Sequence, residues 1–199
     1  MTTQEKFWQW FLKHEDKLFD FELDQERVFD RLAAQLQKVD KNLTFELGPK
    51  RKSREFVISA AGIKSSFPAV VALANAAPAL ARWQVTPFRP RRAGLNLIEF
   101  RGKKIDPADV QFSLLDNGRT AGLYIYLPGF REGDRDLGQI AYLLLDEALG
   151  EYDVEMRLGL IKMFPMESPG DLRRYPLHEL PVLFDELVAR LEGRSGHPS

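Results

Sequence analysis

Five carboxylates fall in one short run: Asp146, Glu147, Glu151, Asp153 and Glu155. Paired carboxylates can work as general acid and base when a cleft raises one pKa. They can also offer hard oxygen ligands to Mg²⁺ or Ca²⁺. On a strand, Asp153 and Glu155 share a face about 7 Å apart by strand rise. The same alternation puts Val154, Met156 and Leu158 on the opposite face. An amphipathic strand therefore accounts for the pattern without a metal, and no metal site is expected.

Other chemistries lack their parts. The chain has no cysteine, which removes disulfides, thiolate nucleophiles and Cys-containing metal sites. No Gly-x-Ser-x-Gly elbow is present. The three histidines, His14, His178 and His197, are far apart in sequence and form no His-Glu-x-x-His pattern. Neither Gly-rich phosphate-binding fingerprint occurs, so no nucleotide cofactor is implied. Two basic groups remain, Lys50–Lys52 with Arg54, and Arg89, Arg91, Arg92, Arg101, Lys103 and Lys104. Tyr124 and Tyr126 fall on one strand face and could stack bases. The aromatic-rich signature of RNA-reading sheets is missing, and net charge is −1, so RNA binding through these loops is kept as an alternative only.

These residues need elements to hold them. At 199 residues and 44% hydrophobic content, the chain can build a sizeable core without staples. The start of the sequence lacks a basic region ahead of an apolar run, so no secretory leader is expected. No run of about 20 apolar residues could span a bilayer. Cysteine absence fits a reducing cytoplasm.

Thr2-x-x-Glu5 reads as a capping box. The helix after it carries Phe7, Trp8, Phe11, Leu12, Leu18 and Phe19 and is read as a packing lid. Asp24 is expected to cap a second helix, with Leu23 and Val28 as its staple and Val28, Leu32, Leu36 and Val39 as its stripe. Period-two segments follow at Leu43–Leu47 and Arg54–Ala60. A helix opens at Ser65 or Ser66 with Pro68 in its first turn and ends near Pro78. Strands are expected at Trp83–Phe88, Leu95–Phe100, Val110–Leu115 and Thr120–Leu127, the last two joined at Asp116-Asn117-Gly118. A helix starts at Asp134 or Asp136 and stops at Gly150. Asp153–Phe164 reads as a long strand. A last helix covers about His178–Leu191, and Gly193–Ser199 reads as a frayed tail.

The order strand, strand, helix, strand occurs twice. Leu43, Phe45, Leu47, Ile58 and Gly62 match Val110, Phe112, Leu114, Ile125 and Gly129 at a constant offset of 67. Trp83 and Val85 are matched with Tyr152 and Val154 at an offset of 69. The expected fold is α+β: two related β-β-α-β modules in a largely antiparallel sheet, with helices packed on it. The boundaries are 1–41 for an N-terminal helical pair, 42–90 for the first module, 91–109 for a connector and 110–164 for the second module. A loop, helix and tail fill 165–199, and the whole 1–199 is read as one globular unit.

Three phrases carry a likeness. They are Phe7-Trp8-Gln9-Trp10-Phe11, Arg54–Ala60 with Gly62 and Phe67-Pro68, and Leu143–Glu155. Together they resemble a family of bacterial proteins of unknown function, over about residues 5–165. The resemblance implies no activity, cofactor or catalytic residue.

The reading that results is a non-catalytic binding or regulatory module, with no cofactor. It would contact a protein or a small ligand at the seam between the halves. Arg82 and Arg89 would face Glu151, Asp153 and Glu155 there, with Asp146 and Glu147 as further binding residues. The alternatives are a small hydrolase-like enzyme using these carboxylates, and an RNA-binding protein using the basic loops. A homodimer through the first helix is also open.

Overall fold

The computed structural model describes residues 1–195 and is α+β. Contacts divide the chain into two units, Met1–Arg89 and Pro90–Ser199, each with its own apolar core.

The first unit runs α1 (Thr3–Lys13), α2 (Glu15–Phe19), α3 (Gln25–Leu36), β1 (Thr44–Leu47), β2 (Arg54–Ser59), α4 (Phe67–Asn75) and β3 (Trp83–Pro87). The capping box is present: Thr2 Oγ1 accepts from Glu5 N–H, and the Glu5 carboxylate accepts from Thr2 N–H. Phe7, Trp8 and Phe11 are buried against Phe56, and the Trp8 indole N–H donates to Leu73 O at 2.9 Å. The expected packing helix is therefore there, but it breaks at His14, and Leu12 stays exposed. The expected start of α3 is corrected. Asp24 makes no capping bond and pairs with Arg27 at 2.5 Å, while Leu23 is 88% exposed and staples nothing. Ser66 likewise leaves α4 uncapped, because its hydroxyl is taken by Asp40 and Asn42.

The second unit runs β4 (Ile98–Phe100), β5 (Lys103–Ile105), β6 (Gln111–Asp116), β7 (Ala121–Leu127), α5 (Arg135–Leu149), α6 (Glu151–Arg157), β8 (Leu158–Pro165), β9 (Tyr175–Pro176) and α7 (Leu180–Ser195). Asp134 caps α5 by accepting from Leu137 N–H. Gly193–Ser195 complete α7, which corrects that part of the expected tail. Residues 196–199, His197 among them, lie outside the described residues.

Among the described residues the strands form three sheets, ordered β1-β2-β3, β4-β5 and β8-β7-β6-β9. The two larger ones share a plan. In each, an antiparallel pair is followed by a helical crossover to a parallel third strand. The register agrees as well. Phe45 faces Ile58 and Phe112 faces Ile125, at the 67-residue offset read from the sequence. Gly62 and Gly129, at the same offset, both take positive φ, 79° and 67°.

The offset of 69 is corrected. Tyr152 and Val154 are helical, and the counterpart of β3 is β8. Val85 lies beside Phe56, and Ile161 beside Leu123. The second crossover is longer because α6 is inserted in it.

The long strand Asp153–Phe164 is corrected with it. Glu151–Arg157 is helix, and only Leu158–Pro165 is strand. The buried positions Glu151, Val154 and Leu158 follow helical spacing, and Tyr152 and Met156 are exposed one turn apart. Glu151 and Asp153 in the first turn and Arg157 in the last suit the helix dipole.

Candidate functional site: a cavity walled by the N-terminal helices

A helix with more aromatics than its core face can take must place the surplus elsewhere. On α1, Phe7, Trp8 and Phe11 fill the core stripe. Trp10 lies off that stripe and is half-buried, with its ring stacked on His14 one turn along, centroids 4.8 Å apart. This pair forms part of the wall of a cavity of about 330 Å³. Leu18 and Val28 add apolar wall, and Asp16, Lys17, Asp20, Asp24, Arg27 and Arg31 bring charge. The volume lies within the usual range for small-molecule sites.

The hydrogen bonds of His14 fix its tautomer. Its Nδ1 lies 2.8 Å from the Trp10 carbonyl, which can only accept, so Nδ1 carries the hydrogen. Nε2 then offers a lone pair, which accepts from Arg31 Nη2 at 3.3 Å.

The acidic lining residues are already engaged by cations. Asp16 accepts from Arg82 at 2.6 Å, Asp20 from Lys50 at 2.5 Å, and Asp24 pairs with Arg27 at 2.5 Å. The Lys50 ammonium holds the Asp20 carboxyl below its ordinary range by hydrogen bonding. Among the described residues, Lys17 has no ionic partner and Arg31 has only the His14 ring. Lys17 and Arg31 are thus the two lining cations without a carboxylate contact, while one guanidinium, Arg82, is shared between Asp16 and Glu15.

The wall is braced from behind. Arg54, at the start of β2, is fully buried. Its Nη2 donates to Glu22 at 2.6 Å, and its guanidinium lies 4.4 Å from the centre of the Phe21 ring. Its Nε and Nη1 have no hydrogen-bond partner and rest against aromatic rings instead. Lys50 and Arg82 also stand over Phe19, at 5.7 and 4.6 Å. These contacts fix the Phe19–Leu23 segment, which carries the wall residues Asp20 and Leu23.

The residues singled out from the sequence are placed as follows. Arg82 binds Glu15 and Asp16, so it supports the cavity rim, and Arg89 binds Glu46 at 2.5 Å. Glu147 accepts from Asn96 N–H at 2.9 Å, and Glu151 is fully buried. Asp153 accepts from Arg91 at 2.7 Å and pairs with Arg157 at 3.4 Å. Asp146 and Glu155 are half-buried on α5 and α6. Asp153 and Glu155, two residues apart on a helix, do not share a face, which corrects the 7 Å pair. Among the described residues no cluster of three His, Asp or Glu stands ready to hold a metal. No helix among them is long and apolar enough to cross a membrane.

Several members of the basic and aromatic groups are engaged. Lys103 pairs with Asp134 at 2.6 Å and Arg101 with Asp136 at 3.6 Å. Tyr126 is 3% exposed, with Arg174 lying 3.8 Å from its ring centre. Trp10, His14, Lys17 and Arg31 were not among the residues the sequence reading selected. The signal within reach was the second i,i+4 aromatic pair, Trp10 and His14, displaced from the core stripe. Arg31 is 17 positions from His14 and meets it only through the α1–α3 packing. No protein-family model, curated protein or solved structure matches the chain.

Proposed function

We propose that this protein is a non-catalytic binding module and that its ligand site is the cavity beside Trp10, His14 and Arg31. The observation that carries the reading is a cavity of about 330 Å³ with Trp10, Leu18 and Val28 in its wall and two lining cations, Lys17 and Arg31, that make no carboxylate contact among the described residues. Support also comes from His14, the one imidazole in the lining, whose two ring nitrogens are engaged by a backbone carbonyl and a guanidinium. The carboxylates considered for hydrolysis are distributed over two helices, and Asp153 and Glu147 already serve as structural acceptors.

The test is titration of the full chain with an environment-sensitive fluorophore, anilinonaphthalene sulfonate. One saturable site is expected. Val28→Phe fills the cavity from α3 and is expected to weaken binding at least tenfold while the circular dichroism spectrum is retained. Equal binding by a folded Val28→Phe variant contradicts the reading, as does a wild-type chain that does not bind.

A further inference from the structure

Resting on that reading, we infer that the cavity selects a planar, singly anionic small molecule, an aromatic or heteroaromatic carboxylate in chemical class. The Trp10–His14 stack presents a flat π-surface at the wall, and stacking on it suits a flat ring better than a flexible chain. Leu18 and Val28 supply apolar contact for the rest of the ring system.

The charge requirement follows from the pairing of each lining residue. Arg27 is held by Asp24, and Asp16 and Asp20 are held by Arg82 and Lys50 from behind the wall. Arg31 and Lys17 remain. Arg31 spends one N–H on His14 Nε2 and keeps a guanidinium edge for a carboxylate, with which it can form a two-point hydrogen bond. The His14 contact holds the guanidinium beside the stacked rings, so the ligand's ring and its carboxylate are met at neighbouring positions. A cationic ligand would face Arg31 and Lys17, and the lining carboxylates Asp16, Asp20 and Asp24 each already contact a cation. A neutral ligand would gain nothing from either charge.

The test uses three molecules of one shape on the full chain: 2-naphthoate, 2-naphthamide and 2-naphthylmethylammonium. Binding is followed by calorimetry at low and moderate salt. The carboxylate is expected to bind about tenfold more tightly than the amide, the size of one charge-assisted hydrogen bond, and the ammonium more weakly than either. Arg31→Gln is expected to remove the preference for carboxylate, bringing its affinity to about that of the amide on the same variant. Added salt is expected to weaken the carboxylate alone.

Equal affinity for carboxylate and amide overturns the anion inference and leaves the cavity as a site. The same follows if a folded Arg31→Gln variant keeps the preference. Binding of none of the three overturns the cavity reading itself, and the inference with it.

Discussion

Arg91 shows how a side chain that looks available in sequence can be fully employed in structure. Its Nε donates to Leu149 O at 2.8 Å, Nη1 to Asp185 at 2.8 Å, and Nη2 to Asp153 at 2.7 Å and Asp185 at 2.8 Å. One guanidinium thus ties the start of the second unit to α5, α6 and α7. The sequence reading set Arg82 and Arg89 against the acidic run, whereas Asp153 of that run is held by Arg91. Arg91→Ala leaves a carbonyl and two carboxylates without their donor, and is expected to cost about 2 kcal/mol.

Hydrogen bonding from Arg91 also holds the Asp185 carboxyl below its ordinary range. A carboxylate with a depressed folded-state pKa contributes stability above its unfolded value, about 3.9 for Asp, and loses it as pH falls through the folded value. Thermal melts across pH 2–6 should therefore show wild type and Arg91→Ala converging below about pH 4. A gap of constant size across that range would show that the ion pair contributes nothing.

The most instructive difference between sequence and structure belongs to one element, α6. Tyr152, Val154, Met156 and Leu158 alternate with charged residues, as a strand would, over too short a stretch to separate period two from helical spacing. The structure resolves it at Gly150. That residue ends α5 and begins α6 with φ 82° and ψ 145°, backbone that a side chain disfavours. The glycine was legible as a stop. It is also a corner, from which helix resumes in a new direction.

Gly150→Ala is expected to cost about 1–3 kcal/mol in backbone strain. For a chain of this size that lowers the melting temperature by roughly 2–4 °C per kcal/mol. A melting temperature unchanged in Gly150→Ala would mean that the corner is not strained by a Cβ. Elements with longer or better-punctuated patterns were readable: the capping box of α1, the Asp134 cap of α5, and the β6–β7 hairpin.

Over the whole chain, the internal likeness was legible because strand register preserves sequence spacing. Four consecutive pairs in β1–β2 recur in β6–β7 at one offset, from Thr44–Ser59 and Gln111–Tyr126 to Leu47–Phe56 and Leu114–Leu123. Spacing across the crossover was not preserved, since α5 and α6 together replace the single α4. The candidate site was the least legible part. A cavity depends on where a helix does not pack, and Trp10, His14 and Arg31 come together through two helices of the first unit, outside its strand-strand-helix-strand segment. The charges picked out by the repeat, Arg82 and Arg89, have partners within that same unit.

The central claim, that this cavity is the ligand site, is tested most directly by nuclear magnetic resonance on the full chain titrated with 2-naphthoate. The account predicts shifts concentrated at the Trp10 indole N–H, the His14 ring and the Arg31 and Lys17 side chains, with residues 90–195 unchanged. Shifts centred on Asp146–Glu155, or no shift at Trp10, His14 and Arg31 at saturating ligand, would contradict it.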